Sequence, residues 1–176
     1  MSSFFDTLQP YAQRASLATG IPASVILGQW AIESAQGKST IATKYFNYAG
    51  IKKVGSSIAA GVSSSGYAVY DNLDQFTEDY IRVMSLSYYD RVRAAGTVQA
   101  TVAELAASPY AESGYNGGKG ILQFIQEFSL EQYDRLREFN VQDMISGMDV
   151  DTLKNMAMIG VAAITLVSLI SQNTQK

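Results

Sequence analysis

The stretch Ala23-Ser24-Val25-Ile26-Leu27-Gly28-Gln29-Trp30-Ala31-Ile32-Glu33-Ser34-Ala35-Gln36-Gly37-Lys38-Ser39 carries a single acid, placed where an otherwise apolar or uncharged helix should stop. Pro22 reads as a first helical residue, and Gly37 lies near the matching end. From Ser34 to Tyr70 there is no Asp or Glu, so Glu33 has no following carboxylate within a helical turn. A carboxyl group at the end of an apolar helix faces low-dielectric surroundings, which favour its protonated form. Such a group can hold a proton near neutral pH and give it away. A solvated helix-end glutamate is the plain alternative that this stretch leaves open.

Around it the signals are mostly helical. Phe4, Phe5, Leu8, Tyr11, Ala12 and Ala15 recur at helical spacing and predict an N-terminal amphipathic helix packed on the core. Residues 50–70 break that rhythm with Gly50, Gly55, Gly61, Gly66 and five serines, and Tyr67-Ala68-Val69-Tyr70 alternates as a strand does. This segment reads as a small β-hairpin lobe. Helices resume at about 74–89, 98–108, 117–128 and 130–139, the last with Ser129 and Gln132 spaced as a capping box. The expected fold class is α+β and mostly helical, a helical body whose small β lobe faces a cleft.

Composition excludes several chemistries. The chain of 176 residues has no Cys and no His, which removes disulfides, thiol nucleophiles, Ser-His triads and most transition-metal sites. No cofactor and no metal are expected, and chemistry must come from carboxylates, hydroxyls, amides and tyrosines. Charged residues are only 16 % and the net charge is -3, with none of the clustered Lys and Arg that nucleic acid requires. A neutral sugar polymer suits this surface.

The run from Ala23 to Ser39, followed by Phe46-Asn47-Tyr48-Ala49-Gly50-Ile51-Lys52, resembles the signature of the glucosaminidases of glycoside hydrolase family seventy-three, roughly A-S-x-x-L-A-Q-A-x-L-E-S-x-W-G-x-S and then N-L-F-G-I-K. Leu73-Asp74-Gln75-Phe76-Thr77-Glu78-Asp79-Tyr80-Ile81 is similar to that family's helix ending in an Asp-Tyr pair, and Pro109-Tyr110-Ala111-Glu112-Ser113-Gly114-Tyr115 to its Y-A-T-D-P-x-Y turn. Four motifs in order cover about residues 20–135. The resemblance implies a lysozyme-like fold and a substrate, peptidoglycan, cut after N-acetylglucosamine at the β-1,4 bond to N-acetylmuramic acid. A lysozyme or lytic transglycosylase would use the same acid on the other bond, and a degenerate glycan-binding structural protein of a virion or envelope would keep the fold without the chemistry.

Breaking a glycosidic bond needs a proton on the departing oxygen, and Glu33 is the candidate donor. Many members carry a second glutamate in the β lobe, yet Lys53 to Gly66 contains none. Asp71, Asp79 or the substrate's own 2-acetamido group could take its place, and the last is favoured, with Tyr110 orienting the amide. Asp79 also reads as a structural acid held by loop amides. Glycan sites use flat apolar faces bearing a hydroxyl. Among the chain's 11 tyrosines, Tyr48, Tyr70 and Tyr115 lie in or beside the motifs and join Ser34 and Asn47 as candidate substrate-binding residues. Trp30, one turn before Glu33, reads as core or as a desolvating neighbour. Ala49 departs from the family's usual aromatic.

The resemblance stops short of the C-terminus. Residues 1–140 form the expected catalytic domain, 141–152 a connector and 153–172 a hydrophobic helix. From Asn155 to Gln175 no residue is charged, and Met156 to Ile170 is apolar on every helical face apart from Thr165 and Ser168, a pattern that one-sided packing cannot use. This helix is expected either to span a membrane or to be buried in an assembly. No basic region followed by a long apolar run opens the chain, so no signal peptide is expected. Together these suggest a virion-associated or membrane-anchored lysin of a phage.

Overall fold

Ser3 starts the first helix. Its hydroxyl accepts from the Asp6 amide at 3.1 Å while Asp6 Oδ2 accepts from the Ser3 amide at 3.0 Å, a reciprocal pair that satisfies two of the helix's orphan donors. The structure, a computed structural model, describes residues 3–110 and 114–134, all within the unit Met1–Arg137. Helix α1 (Phe4–Thr19) buries Phe5, Leu8, Ala12, Ala15 and Thr19 on one face and ends at Gly20, whose φ of 80° suits glycine.

Helix α2 (Ala23–Glu33) is buried at every position from Ala23 to Ala31. A helix with no polar face has to be central, and α1, α6 (Val98–Ala106) and α7 (Lys119–Glu127) pack around it. Pro22 serves as its N-cap and offers no side-chain acceptor. Asp134 supplies one from far along the chain, accepting from the Ser24 amide at 2.9 Å and the Ser24 hydroxyl at 2.6 Å, with its negative charge at the positive end of the helix. Gly28 lets α7 come close, since a Cβ there would lie 3.0 Å from Ile121 Cγ2. Trp30 is fully buried against Phe76 and Tyr80, at ring-centroid distances of 4.9 and 5.1 Å, and is therefore a core residue.

After α3 (Thr40–Tyr45) the chain forms the small lobe. Strands β1 (Gly61–Val62) and β2 (Ala68–Val69) pair antiparallel, Gly61 opposite Val69 and Val62 opposite Ala68, and Lys52 bridges to Tyr67. The hairpin is shorter than Tyr67 to Tyr70 suggests. Helix α4 (Leu73–Met84), capped by Asn72, carries the lobe back to the body. The expected continuous helix over 74–89 stops at Met84. Leu86 is extended, Ser87–Tyr89 form a 3₁₀ turn, and α5 (Asp90–Ala94) follows. Arg93 explains the break, donating to the Met84 and Leu86 carbonyls, so a cation satisfies the carbonyls at the end of α4.

The mostly helical body with its two-stranded sheet is the lysozyme-like arrangement expected. The capping box at Ser129 and Gln132 does not form. Ser129 has φ 51° and closes α7 instead, with the Leu130 amide donating to the Ile125 carbonyl at 2.9 Å, as helix C-terminal turns do. The connector at 141–152 and the hydrophobic helix at 153–172 lie outside the described residues. Among the described residues no helix is long and apolar enough to cross a membrane.

Candidate active site

Glu33 is the last residue of α2 and stands half-buried on the wall of a cleft of about 500 Å³. Ser34 fixes the helix end. Its hydroxyl donates to the Trp30 carbonyl at 2.5 Å and accepts from the Gly37 amide at 2.8 Å, while Ala35, Gln36 and Gly37 follow in left-handed conformations at φ 50°, 52° and 77°. The chain is thus turned away sharply, and the Glu33 side chain is left at the cleft. Gly50 faces it. At φ 64°, a Cβ on Gly50 would lie 3.2 Å from Glu33 Oε2, so the missing side chain keeps that oxygen open to the cleft.

The other oxygen is held from within. Tyr115 donates its hydroxyl to Glu33 Oε1 at 2.5 Å. Burial, then the Glu33 charge and this hydrogen bond, push the Tyr115 hydroxyl above its ordinary range, so it keeps its proton. Behind it, Gln29 Nε2 donates to the Tyr115 hydroxyl at 3.4 Å, and the Tyr80 hydroxyl donates to Gln29 Oε1 at 2.6 Å. Gln29 is fully buried and lies one turn before Glu33 on the same face of α2. Neither Gln29 nor Tyr80 stands out in the sequence as a site residue, although both fall inside the matched motifs.

Tyr110 lines the cleft with Tyr89, Lys52 and Arg82. The Tyr110 hydroxyl donates to the Ala49 carbonyl, so what it offers a ligand is chiefly its ring, set edge-on to Tyr89 at 6.1 Å. Burial, followed by the influence of Tyr115, raises its pKa well above the usual value. Tyr89 is a lining aromatic that the motifs do not mark.

Several expected ligand-contacting groups make bonds or ring contacts within the protein. Asn47 is fully buried, and its amide donates to the Ile51 and Ala68 carbonyls at 2.8 and 3.0 Å while its Oδ1 accepts from the Ile51 amide at 3.0 Å. It shapes the Gly50 loop and ties it to β2. Ser34 is equally buried. Tyr48 is half-buried between Phe4 and Phe76. Tyr70 is only 2 % exposed and has no free ring face to stack on a sugar. Tyr115 acts on Glu33 rather than standing as an open platform.

Neither candidate second carboxylate lines the cleft with Glu33. Asp71 is exposed just before α4, outside the cleft lining, with its amide donating to Gln75 Oε1 at 2.9 Å. Asp79 is fully buried and receives the Tyr70 hydroxyl and the Ser57 hydroxyl at 2.8 Å each and Arg82 Nε at 2.5 Å. Burial alone would raise its pKa, but the hydrogen bonds from Arg82, Ser57 and Tyr70 outweigh this and hold it below the ordinary carboxylate value. Asp79 is a clasp between α4 and the lobe.

The glucosaminidase family, described as mannosyl-glycoprotein endo-beta-N-acetylglucosaminidase, matches residues 9–130. The chain belongs to the glucosaminidase family. Family membership makes it a glycoside hydrolase. Among solved structures, the catalytic domain of the autolysin Auto from Listeria monocytogenes is similar at 24% identity and TM-score 0.60, over 74% of this chain and 85% of that one. A peptidoglycan hydrolase mutant from Sphingomonas sp. A1 is similar at 24% identity and TM-score 0.59, over 74% and 96%. An N-acetylmuramoyl-L-alanine amidase from Staphylococcus aureus is similar at 20% identity and TM-score 0.61, over 74% of this chain and 42% of that one. At these identities the likeness concerns the fold of this glucosaminidase. No curated protein sequence matches the chain.

The clasp gives a prediction. Asp79→Asn removes the charge that Arg82, Ser57, Tyr70 and the Ile58 amide surround and should lower unfolding stability by about 3 kcal/mol at neutral pH. Because the folded-state pKa of Asp79 is depressed from 3.8, its contribution is present above that value and is lost as pH falls through the folded pKa. The stability gap between wild type and variant, read by urea unfolding, should therefore narrow in acid. An equal gap at pH 7 and in strong acid would rule the clasp out.

Proposed function

We propose that this glucosaminidase hydrolyses peptidoglycan at the β-1,4 bond between N-acetylglucosamine and N-acetylmuramic acid, with Glu33 as general acid. The observation that carries the reading is the seating of Glu33, one oxygen held by Tyr115 and the other facing the cleft past Gly50. The family match and the likeness in fold to an autolysin and a peptidoglycan hydrolase support the substrate.

The second group is proposed to be the substrate's 2-acetamido oxygen. It attacks C1 as the glycosidic oxygen departs with the Glu33 proton, and water then opens the oxazolinium ring while giving a proton to the Glu33 carboxylate. The exposed position of Asp71 and the enclosure of Asp79 support this over either of them as the second carboxylate. Tyr110 and Tyr89 would pack against sugar rings. The uncharged run from Asn155 to Gln175 supports an anchor or assembly segment, and delivery by a phage particle or a membrane is proposed on that basis.

Glu33→Gln should reduce wall lysis by about a hundredfold or more with the fold retained, and more than about a tenth of wild-type activity would remove Glu33 from this role. Asp71→Asn should lose less than about threefold. Reducing-end analysis of digested peptidoglycan should find new N-acetylglucosamine ends. Muramic ends would indicate a lysozyme, anhydro-muramic ends a transglycosylase, and no ends a binding protein.

Truncation after Asp149 tests the tail. The shortened chain should remain a soluble monomer that cuts peptidoglycan, while the full chain requires detergent or assembles. A full-length monomer without detergent, paired with a truncation that unfolds, would place the run in the enzyme's own core.

A further inference from the structure

We infer that Gln29 is a positioning residue that decides which oxygen of Glu33 carries the transferable proton, an inference that rests on Glu33 being the general acid. The geometry has a direction. The Tyr80 hydroxyl donates to Gln29 Oε1 at 2.6 Å, which points the amide nitrogen at Tyr115. That nitrogen donates to the Tyr115 oxygen at 3.4 Å. A tyrosine hydroxyl has one proton, and with its oxygen facing the amide donor that proton is sent to Glu33 Oε1 at 2.5 Å. An Oε1 that also bore the acid proton would be a poorer acceptor for that bond than a carbonyl oxygen. The acid proton therefore resides on Oε2, the oxygen that faces Gly50 and the cleft.

Burial makes the relay rigid. Gln29 and Tyr80 are at most 1 % exposed and Tyr115 is 5 % exposed, so water does not supply substitute partners. Tyr115 reaches this place through a strained turn. Tyr115 and Asn116 both have left-handed backbones at φ 48° and 53°, ahead of Gly117 and Gly118 at 64° and 82°, a conformation that non-glycine residues keep only when their surroundings enforce it. Among the described residues, the titratable groups around Glu33 include the hydroxyls of Tyr80, Tyr110 and Tyr115, with Tyr89, Lys52 and Arg82 also lining the cleft. Gln29 is not among the lining residues and acts through Tyr115.

Without the Gln29 donor the Tyr115 hydroxyl is a weaker and less fixed donor to Oε1, and the preference that keeps the Glu33 proton on Oε2 falls. The weaker bond stabilises the carboxylate less, which raises its pKa. Activity that needs protonated Glu33 falls as pH rises through that pKa, so its basic limb moves up.

The test measures kcat, KM and the pH profile on soluble glycan strands for Gln29→Met, Tyr115→Phe, the double variant and Glu33→Gln, with thermal unfolding alongside. Gln29→Met should lower kcat about tenfold, leave KM unchanged and move the basic limb up by about one pH unit. The double variant should be no worse than Tyr115→Phe alone, because the two residues act in series. Where Gln29→Met does not fold, Tyr80→Phe, which frees the amide to turn, should move the limb in the same direction by less. An unmoved limb, or losses that add in the double variant, overturns the role of Gln29 while an inactive Glu33→Gln leaves the acid assignment standing. An active Glu33→Gln removes both.

Discussion

The hydrogen bond from Tyr115 to Glu33 is the contact on which the rest of the cleft depends. A half-buried carboxylate at the end of this central helix, left alone, would sample several rotamers. One short bond to Oε1 fixes the side chain and leaves Oε2 for the cleft. Two neighbouring features serve that division. Ser34 and the left-handed Ala35, Gln36 and Gly37 turn the chain aside, and Asn47 shapes the loop that brings Gly50 opposite.

The two helical acids of the matched motifs are used in opposite ways. Both lie on helices that border the cleft, Asp79 fully buried and Glu33 half-buried. Asp79 is surrounded by Arg82, Ser57 and Tyr70, all of which stabilise its charge, so it is suited to hold the lobe on α4. Glu33 accepts the hydroxyl of Tyr115, which burial keeps protonated. A neutral donor of this kind suits a group that must lose and regain a proton.

Much of this is legible in the sequence. The uncharged run around Glu33 places an acid at a helix end, the Gly and Ser content of residues 50–70 marks the lobe, and α1, α4, α6 and α7 follow from apolar spacing. The functions of Asn47, Tyr70 and Tyr115 are not legible, because an aromatic or amide beside a motif has the same letter whether it faces a ligand or a neighbour. Their partners lie 21, 9 and 82 residues away. The break after Met84 depends on Arg93, a cation whose reach back to two carbonyls has no local pattern. Ser129 misleads for a related reason, since a serine that could open a helix instead closes one in a left-handed conformation. Tyr115 turns inward on a backbone that only the following Gly117-Gly118 pair hints at.

The account's central claim is that Glu33 presents one oxygen, Oε2, to the scissile bond. A crystal structure of the Glu33→Gln variant with a bound N-acetylglucosamine–N-acetylmuramic acid oligomer tests it directly. The glycosidic oxygen should lie within about 3 Å of the side-chain atom facing Gly50, with the Tyr115 hydroxyl still bonded to the other. A glycan bound outside this cleft, or one whose glycosidic oxygen approaches from the Tyr115 side, would contradict the account.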